Sequence, residues 1–148
     1  MHVKISGDGL VFTVGCSGSG KSTFCRRYFQ SSQIISSDQC RKWVSDREDN
    51  QQASQDAFSL MYEIVEKRLR RGLLTVLDAT HLDNKSIEKI QKYAEVYKRD
   101  LYGFVFSLPL EHCLEWNQQR PDRRVPAEVL EKQYHKLPDI RAFIDQEE

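Results

Sequence analysis

The chain has no Cys-x-x-Cys pair and no tight cluster of cysteine with histidine: Cys16, Cys25, Cys40 and Cys113 stand apart. That argues against a zinc site and against a secreted scaffold held by disulfides. No stretch approaches the roughly 18 consecutive apolar residues of a membrane-spanning helix. The Gly-Asp-Gly interruption at residues 7–9 breaks the apolar run that a secretory leader needs. Internal repeats and low-complexity segments are absent as well. A reducing, cytoplasmic setting without membrane association is the expectation. Net charge is also missing, because 22 Lys plus Arg balance 22 Asp plus Glu. Proteins that bind nucleic acid through a broad field are usually basic, so any phosphate site here must be local. The charge is uneven in detail: Arg120 to Arg124 holds three arginines and one aspartate, for +2, whereas residues 127–148 hold six acids and three bases, for −3.

What is present fits one domain over residues 1–148, long enough to bury a core without staples. Leu10-Val11-Phe12-Thr13-Val14 reads as a buried strand, and Lys21 to Phe29 as a helix. A short strand is expected over Gln33 to Ser36, a brief helix from Asp38 to about Ser45, and a longer one from near Gln52 to Arg71. In the longer helix Ala57, Leu60, Met61, Ile64 and Val65 form one apolar stripe, and Gly72 supplies the stop. Leu73 to Leu77, ending in Asp78, reads as a strand covered on both faces. Asp83 is placed to cap a helix that carries Ile87, Ile90, Ala94 and Tyr97. Leu101 to Leu108 is the fourth strand, followed by a helix from Leu110 to about Gln119 and, after Pro126, further helix. Strands alternating with helices imply parallel βαβ units. The expected fold is therefore α/β of the P-loop NTPase kind: a parallel sheet of four or five strands, helices on both faces, and an arginine-bearing lid over about residues 117–137. Only four strands are visible where nucleotide kinases of this architecture commonly have five, as in a fragment of a larger protein.

Gly15-Cys16-Ser17-Gly18-Ser19-Gly20-Lys21-Ser22 satisfies G-x-x-x-x-G-K-[ST] between a strand and a helix. The glycines let backbone N–H groups curl round an anion, the helix start adds its positive dipole end, and Lys21 reaches the β and γ phosphates. Ser22 offers a hydroxyl to Mg²⁺ or Mn²⁺, and Thr23 beside it completes the candidate nucleotide-binding run from Gly15. A plain Gly/Ser-rich turn would also carry these residues, but not in this context. Cys16 fits either a small filler or a reactive thiol. Asp78, at the carboxyl end of a strand, suits a second metal-holding residue before it suits the start of a turn.

A switch GTPase would need N-K-x-D, yet Asn84-Lys85 is followed by Ser86-Ile87. Motor and AAA-type ATPases need longer cores and an arginine from a neighbour. Compact length fits a phosphotransferase, which carries its own base and charge clamp. Asp38, beyond the second strand, is the candidate general base, with Arg41 three residues on to hold an acceptor phosphate. Alternatively, Asp38 caps its helix and Arg41 pairs with it. Arg120, Arg123 and Arg124 are candidate charge-stabilising residues in a Pro-bounded loop, with Arg123 the catalytic one. Trp116, one turn earlier, either stacks on the nucleobase or packs on a neighbouring helix.

Gly15 to Phe24, Ile35-Ser36-Ser37-Asp38 with Arg41, Val44-Ser45-Asp46, Leu73 through Asp78-Ala79-Thr80, Val105 to Pro109, and Asn117 through Arg120 to Arg123 together resemble the kinase domain of bacterial polynucleotide kinase-phosphatase. The resemblance runs in order over about residues 10–125. It implies transfer of the ATP γ phosphate to 5′-hydroxyl ends of RNA or DNA during nucleic acid repair. Asp38 is then the base, Arg41 the acceptor grip, Lys21 and Ser22 the ATP and Mg²⁺ residues, and Arg120 and Arg123 lid residues. Phosphatase and ligase-like domains, in cis or as other repair proteins, are the implied partners. The chain departs from that pattern at His81, where relatives usually have Asn, and at Trp116, where they often have Arg. A P-loop kinase of a small-molecule hydroxyl acceptor is the competing expectation, and net neutrality favours it.

Overall fold

A computed structural model describes residues 2–120 and 125–146. Its centre is β1 (Leu10–Val14), every residue of which is buried. β1 pairs in parallel with β3 (Thr75–Asp78) on one side and β4 (Leu101–Val105) on the other, while β2 (Ile34–Ser36) lies outside β3. The order β2-β3-β1-β4 makes one parallel sheet of four strands. The remaining elements are α1 (Lys21–Tyr28), α2 (Ser37–Ser45), α3 (Ser54–Arg70), α4 (Asn84–Tyr97), α5 (Leu110–Gln119) and α6 (Ala127–Gln146).

Period-two alternation in β1 supplies both faces of the core. Leu10, Phe12 and Val14 pack with Ile35, Leu77 and the apolar stripes of α3, α4 and α6, including Met61, Val65, Ile87, Ile90 and Ile140. Val11 and Val76 face the opposite way, against Cys25 and Phe24 of α1. Helices thus cover both faces, and a third cluster of Cys16, Cys113 and Leu130 joins the loop after β1 to α5 and α6. Burying one large aliphatic side chain in such a core is worth about 1.5–3 kcal/mol. Removing Leu10 or Val65 would therefore loosen the platform that carries the site.

Several boundaries differ from the sequence reading, each for a local reason. β3 starts at Thr75 because the chain is still leaving α3 at Leu73: Leu73 N–H donates to Arg68 O (3.1 Å), and the side chain is exposed. β4 stops at Val105, the residue paired with Val14, because β1 ends there. α2 opens one residue early, at Ser37, because Ser36 Oγ accepts from Gln39 N–H (3.3 Å) and caps the helix. A single 3-10 turn, Gln51–Ala53, precedes α3. As expected, Asp83 caps α4, its Oδ1 accepting from Ser86 N–H (2.8 Å).

Candidate active site

The loop from Gly15 to Gly20 leaves the carboxyl end of β1 and runs straight into α1. Its glycines are required by geometry, as Gly20 and Gly18 show. Gly20, φ 95°, turns the chain into the helix in the left-handed region. Gly18, φ 79°, lies so close to α5 that a Cβ there would sit 3.3 Å from Cys113 O. A helix start behind a bare backbone is a setting that suits an anion. Lys21 is buried, its Nζ donating to Cys16 O (2.6 Å) and lying 3.5 Å from Ser19 Oγ. Burial pulls this ammonium down to about 8, against the favourable charge of Asp78.

Ser22, the next residue, donates its hydroxyl to Asp78 Oδ2 (2.8 Å), bringing the end of β3 against the start of α1. Burial pushes the Asp78 carboxyl up, while the Ser22 hydrogen bond and Lys21 oppose that rise. A hydroxyl and a carboxylate side by side are hard oxygen donors that could hold Mg²⁺ or Mn²⁺. No group of three or more His, Cys, Asp or Glu residues that could hold a metal occurs among the described residues. The other ligands of such an ion would be phosphate and water oxygens.

Across the cleft stands a second set of groups. Asp38 Oδ1 accepts from Arg41 Nη1 (2.9 Å), and Arg120 Nη2 lies 4.0 Å from Asp38 Oδ2. Arg41 is nearly buried: its Nε donates to Ser54 Oγ (3.1 Å), and its guanidinium lies over the Phe58 ring, 5.7 Å from the centroid. The helix cap is Ser36, so Asp38 does not serve as one. Its pairing with Arg41, on the other hand, is present. Both side chains line one cleft of about 750 Å³ together with Lys21, Ser22, Asp78, Trp116 and Arg120. Trp116 lies over Gly20, where an added Cβ would be 3.4 Å from its Cζ3, and the ring is 42% exposed, so it has room for a flat partner. The catalytic candidate Arg123, and Arg124 with it, lie outside the described residues, as do residues 121–122 of the expected lid segment.

Three polar residues at or near the site were not legible as participants. Asn117 is buried and makes a double hydrogen bond with Val125, Nδ2 donating to Val125 O and Oδ1 accepting from Val125 N–H (2.9 Å). It thereby ties the end of α5 to the approach to α6. Gln133 of α6 accepts from Ser17 N–H (2.9 Å). His81 is buried with φ 49°, and its Nδ1 is 2.6 Å from Thr13 O. A carbonyl accepts, so Nδ1 carries the proton and Nε2 is bare, with no partner among the described residues. Burial holds this imidazole at about 4, hence neutral near pH 7. Left-handed backbone is a conformation that His and Asn both tolerate better than most residues, which accounts for a polar residue there.

The family model described as AAA domain matches residues 10–139. The chain belongs to this family. Residue count alone therefore does not separate it from every protein under the AAA label. A protein of Autographa californica nuclear polyhedrosis virus, assigned as a bifunctional polynucleotide kinase/RNA ligase, is 25% identical over 148 aligned positions, which cover 90% of this chain and 21% of that relative. The Pnkp1/Rnl/Hen1 RNA repair complex contains a chain of similar fold: TM-score 0.78, 22% identity, 95% of this chain covered and 47% of that one. A gluconokinase from Sinorhizobium meliloti 1021 is also similar, with TM-score 0.57, 18% identity, and coverage of 88% of this chain and 75% of that one. The chain thus spans about a fifth of the viral relative and about half of the repair-complex chain. These likenesses show a P-loop α/β fold. Among the described residues no helix is long and apolar enough to cross a membrane.

Proposed function

We propose that this domain transfers the γ phosphate of ATP to the 5′-hydroxyl of an RNA or DNA end, as one domain of a larger repair protein. The observation that carries the proposal is the carboxylate of Asp38, facing the same cleft as Lys21 and set between Arg41 and Arg120. In the reaction the acceptor oxygen attacks the γ phosphorus, its proton passes to Asp38, and the bond to the bridging oxygen breaks to release ADP. Little covalent work falls to the protein, so alignment and charge stabilisation dominate. Lys21 and the loop N–H groups hold the phosphates. Arg41 holds an acceptor phosphate, and Arg120, with Arg123 in the same role, stabilises charge on the transferring group. When bound, Mg²⁺ at Ser22 and Asp78 would shield the phosphate oxygens. Trp116 offers a stacking surface to the adenine.

RNA ligase and phosphatase activities are the expected companions, in cis or as partner proteins, because an end must be healed before it is sealed. The polynucleotide kinase/RNA ligase assignment of the viral relative supports the nucleic-acid acceptor. One observation favours a small alcohol instead: Glu48 and Asp49 line the same cleft as Arg41, and carboxylates there oppose a polyanion. Labelled phosphate transfer from ATP, screened over 5′-hydroxyl RNA, 5′-hydroxyl DNA and small alcohols, separates the two. Product on oligonucleotides alone supports the proposal, and product on small alcohols alone replaces it.

A further inference from the structure

One peptide unit of the loop, that between Cys16 and Ser17, is gripped from both sides. Its carbonyl accepts from Lys21 Nζ (2.6 Å), and its N–H donates to Gln133 Oε1 (2.9 Å), a contact that joins residues 116 apart. An N–H can only face an acceptor, so this bond fixes which end of the amide meets the loop. The oxygen is committed to Ser17, and the nitrogen, with two donors, is left to serve elsewhere. No described residue accepts from it, and Gln133 lines the cleft with Ser17, Gly18 and Lys21. The helix that carries it is anchored one turn earlier, where fully buried Leu130 packs on Cys16 and Cys113. Gln133 therefore stands at a defined place on the rim of the cradle.

We infer that Gln133 is a nucleotide-binding residue whose amide N–H groups contact the outermost phosphate of ATP. The inference rests on the ATP-binding part of the function proposed above, but not on the nature of the acceptor. Lys21 is the loop residue that reaches the β and γ phosphates, and Gln133 grips the very peptide on which the Lys21 ammonium rests. Ser17 N–H, already bonded within the protein, is not available to the anion. The loop N–H groups nearer α1 then hold the inner phosphate, and Gln133 supplies a donor at the outer end. A triphosphate gains this contact, and a diphosphate does not.

The test is the affinity of the wild-type chain, Gln133→Leu and Gln133→Glu for ATP and for ADP, measured by calorimetry beside thermal melting. A hydrogen bond to a charged group is worth about 1.5–3 kcal/mol, so Gln133→Leu should bind ATP about 10-fold or more weakly and ADP within about 2-fold of wild type. Gln133→Glu keeps an acceptor for Ser17 N–H, and so should melt like wild type. Its added negative charge should nevertheless cost more ATP affinity than Gln133→Leu does. Should Gln133→Leu fail to fold, the Gln133→Glu pair of affinities carries the result. Parallel losses of ATP and ADP would overturn the inference, leaving Gln133 as a prop for loop shape, and so would unchanged ATP affinity in both variants. A wild-type chain that binds neither nucleotide would overturn the underlying reading along with it, whereas wild-type binding with indifferent variants sinks this inference alone.

Discussion

The two walls of the cleft are built on opposite plans. On the donor side, seven of the contributing residues are consecutive, Gly15 to Lys21, and backbone N–H groups do most of the work from a partly buried loop between β1 and α1. On the acceptor side, Asp38 and Arg41 come from α2, Ser54 from α3 and Arg120 from just past the end of α5, and side chains do everything. A backbone cradle tolerates little change and binds any polyphosphate. A side-chain wall can be altered one residue at a time, which is where acceptor specificity belongs. Substitutions on the two walls should accordingly fail in different ways.

The sharpest break is at Asp38. Asp38→Ala should lower the transfer rate by about 10²- to 10⁴-fold, the range for a lost general base, with ATP affinity unchanged. Full activity would reduce the carboxylate to a partner for Arg41. Lys21→Ala belongs to the other wall and should damage ATP affinity and rate together, the rate by about 10²- to 10³-fold; a rate loss without weaker binding would place Lys21 in the transition state alone. A pH series probes the same wall. Lys21 sits near 8, below its ordinary 10.5, so the empty protein surrenders this charge across a window where the unfolded chain still keeps it. Stability of the empty protein should rise through that window, while ATP affinity falls by up to about 10-fold per pH unit above 8, since binding must restore the proton. A flat ATP affinity from pH 7 to 9.5 would mean that the ammonium stays charged throughout. Trp116→Ala should weaken ATP binding by about 5-fold if the ring stacks on the base, and leave it unchanged if the ring only covers Gly20. Smallest of all, Ser36→Ala should cost about 1 kcal/mol in urea unfolding through loss of the α2 cap, with ATP affinity intact.

The same contrast governed what the sequence could reveal. The parallel sheet followed from βαβ alternation, and the loop, Lys21 and Ser22 from one contiguous string whose chemistry is local; the strand order did not. Asp38 and Arg41 were visible as a helical i, i+3 pair, yet the support of Arg41 by Ser54 and Phe58 depends on how α3 packs against α2 and has no local signal. The same holds for Gln133, whose partner lies 116 residues away. His81 needed a backbone angle, since no glycine or asparagine marks that turn as left-handed. Leu73 was misplaced in a strand because an apolar residue just after a helix stop looks the same whether it faces the core or the solvent.

The central claim is that Asp38 activates the terminal hydroxyl of a polynucleotide. Its most direct test is transfer of labelled γ phosphate from ATP to a 5′-hydroxyl oligonucleotide by the wild-type chain and by Asp38→Asn, with ATP affinity measured for both. The account predicts labelled oligonucleotide from the wild type and at least about 100-fold less from Asp38→Asn at equal ATP affinity. A folded, ATP-binding wild-type chain that labels no oligonucleotide, or an Asp38→Asn chain that labels it as fast as wild type, would contradict it.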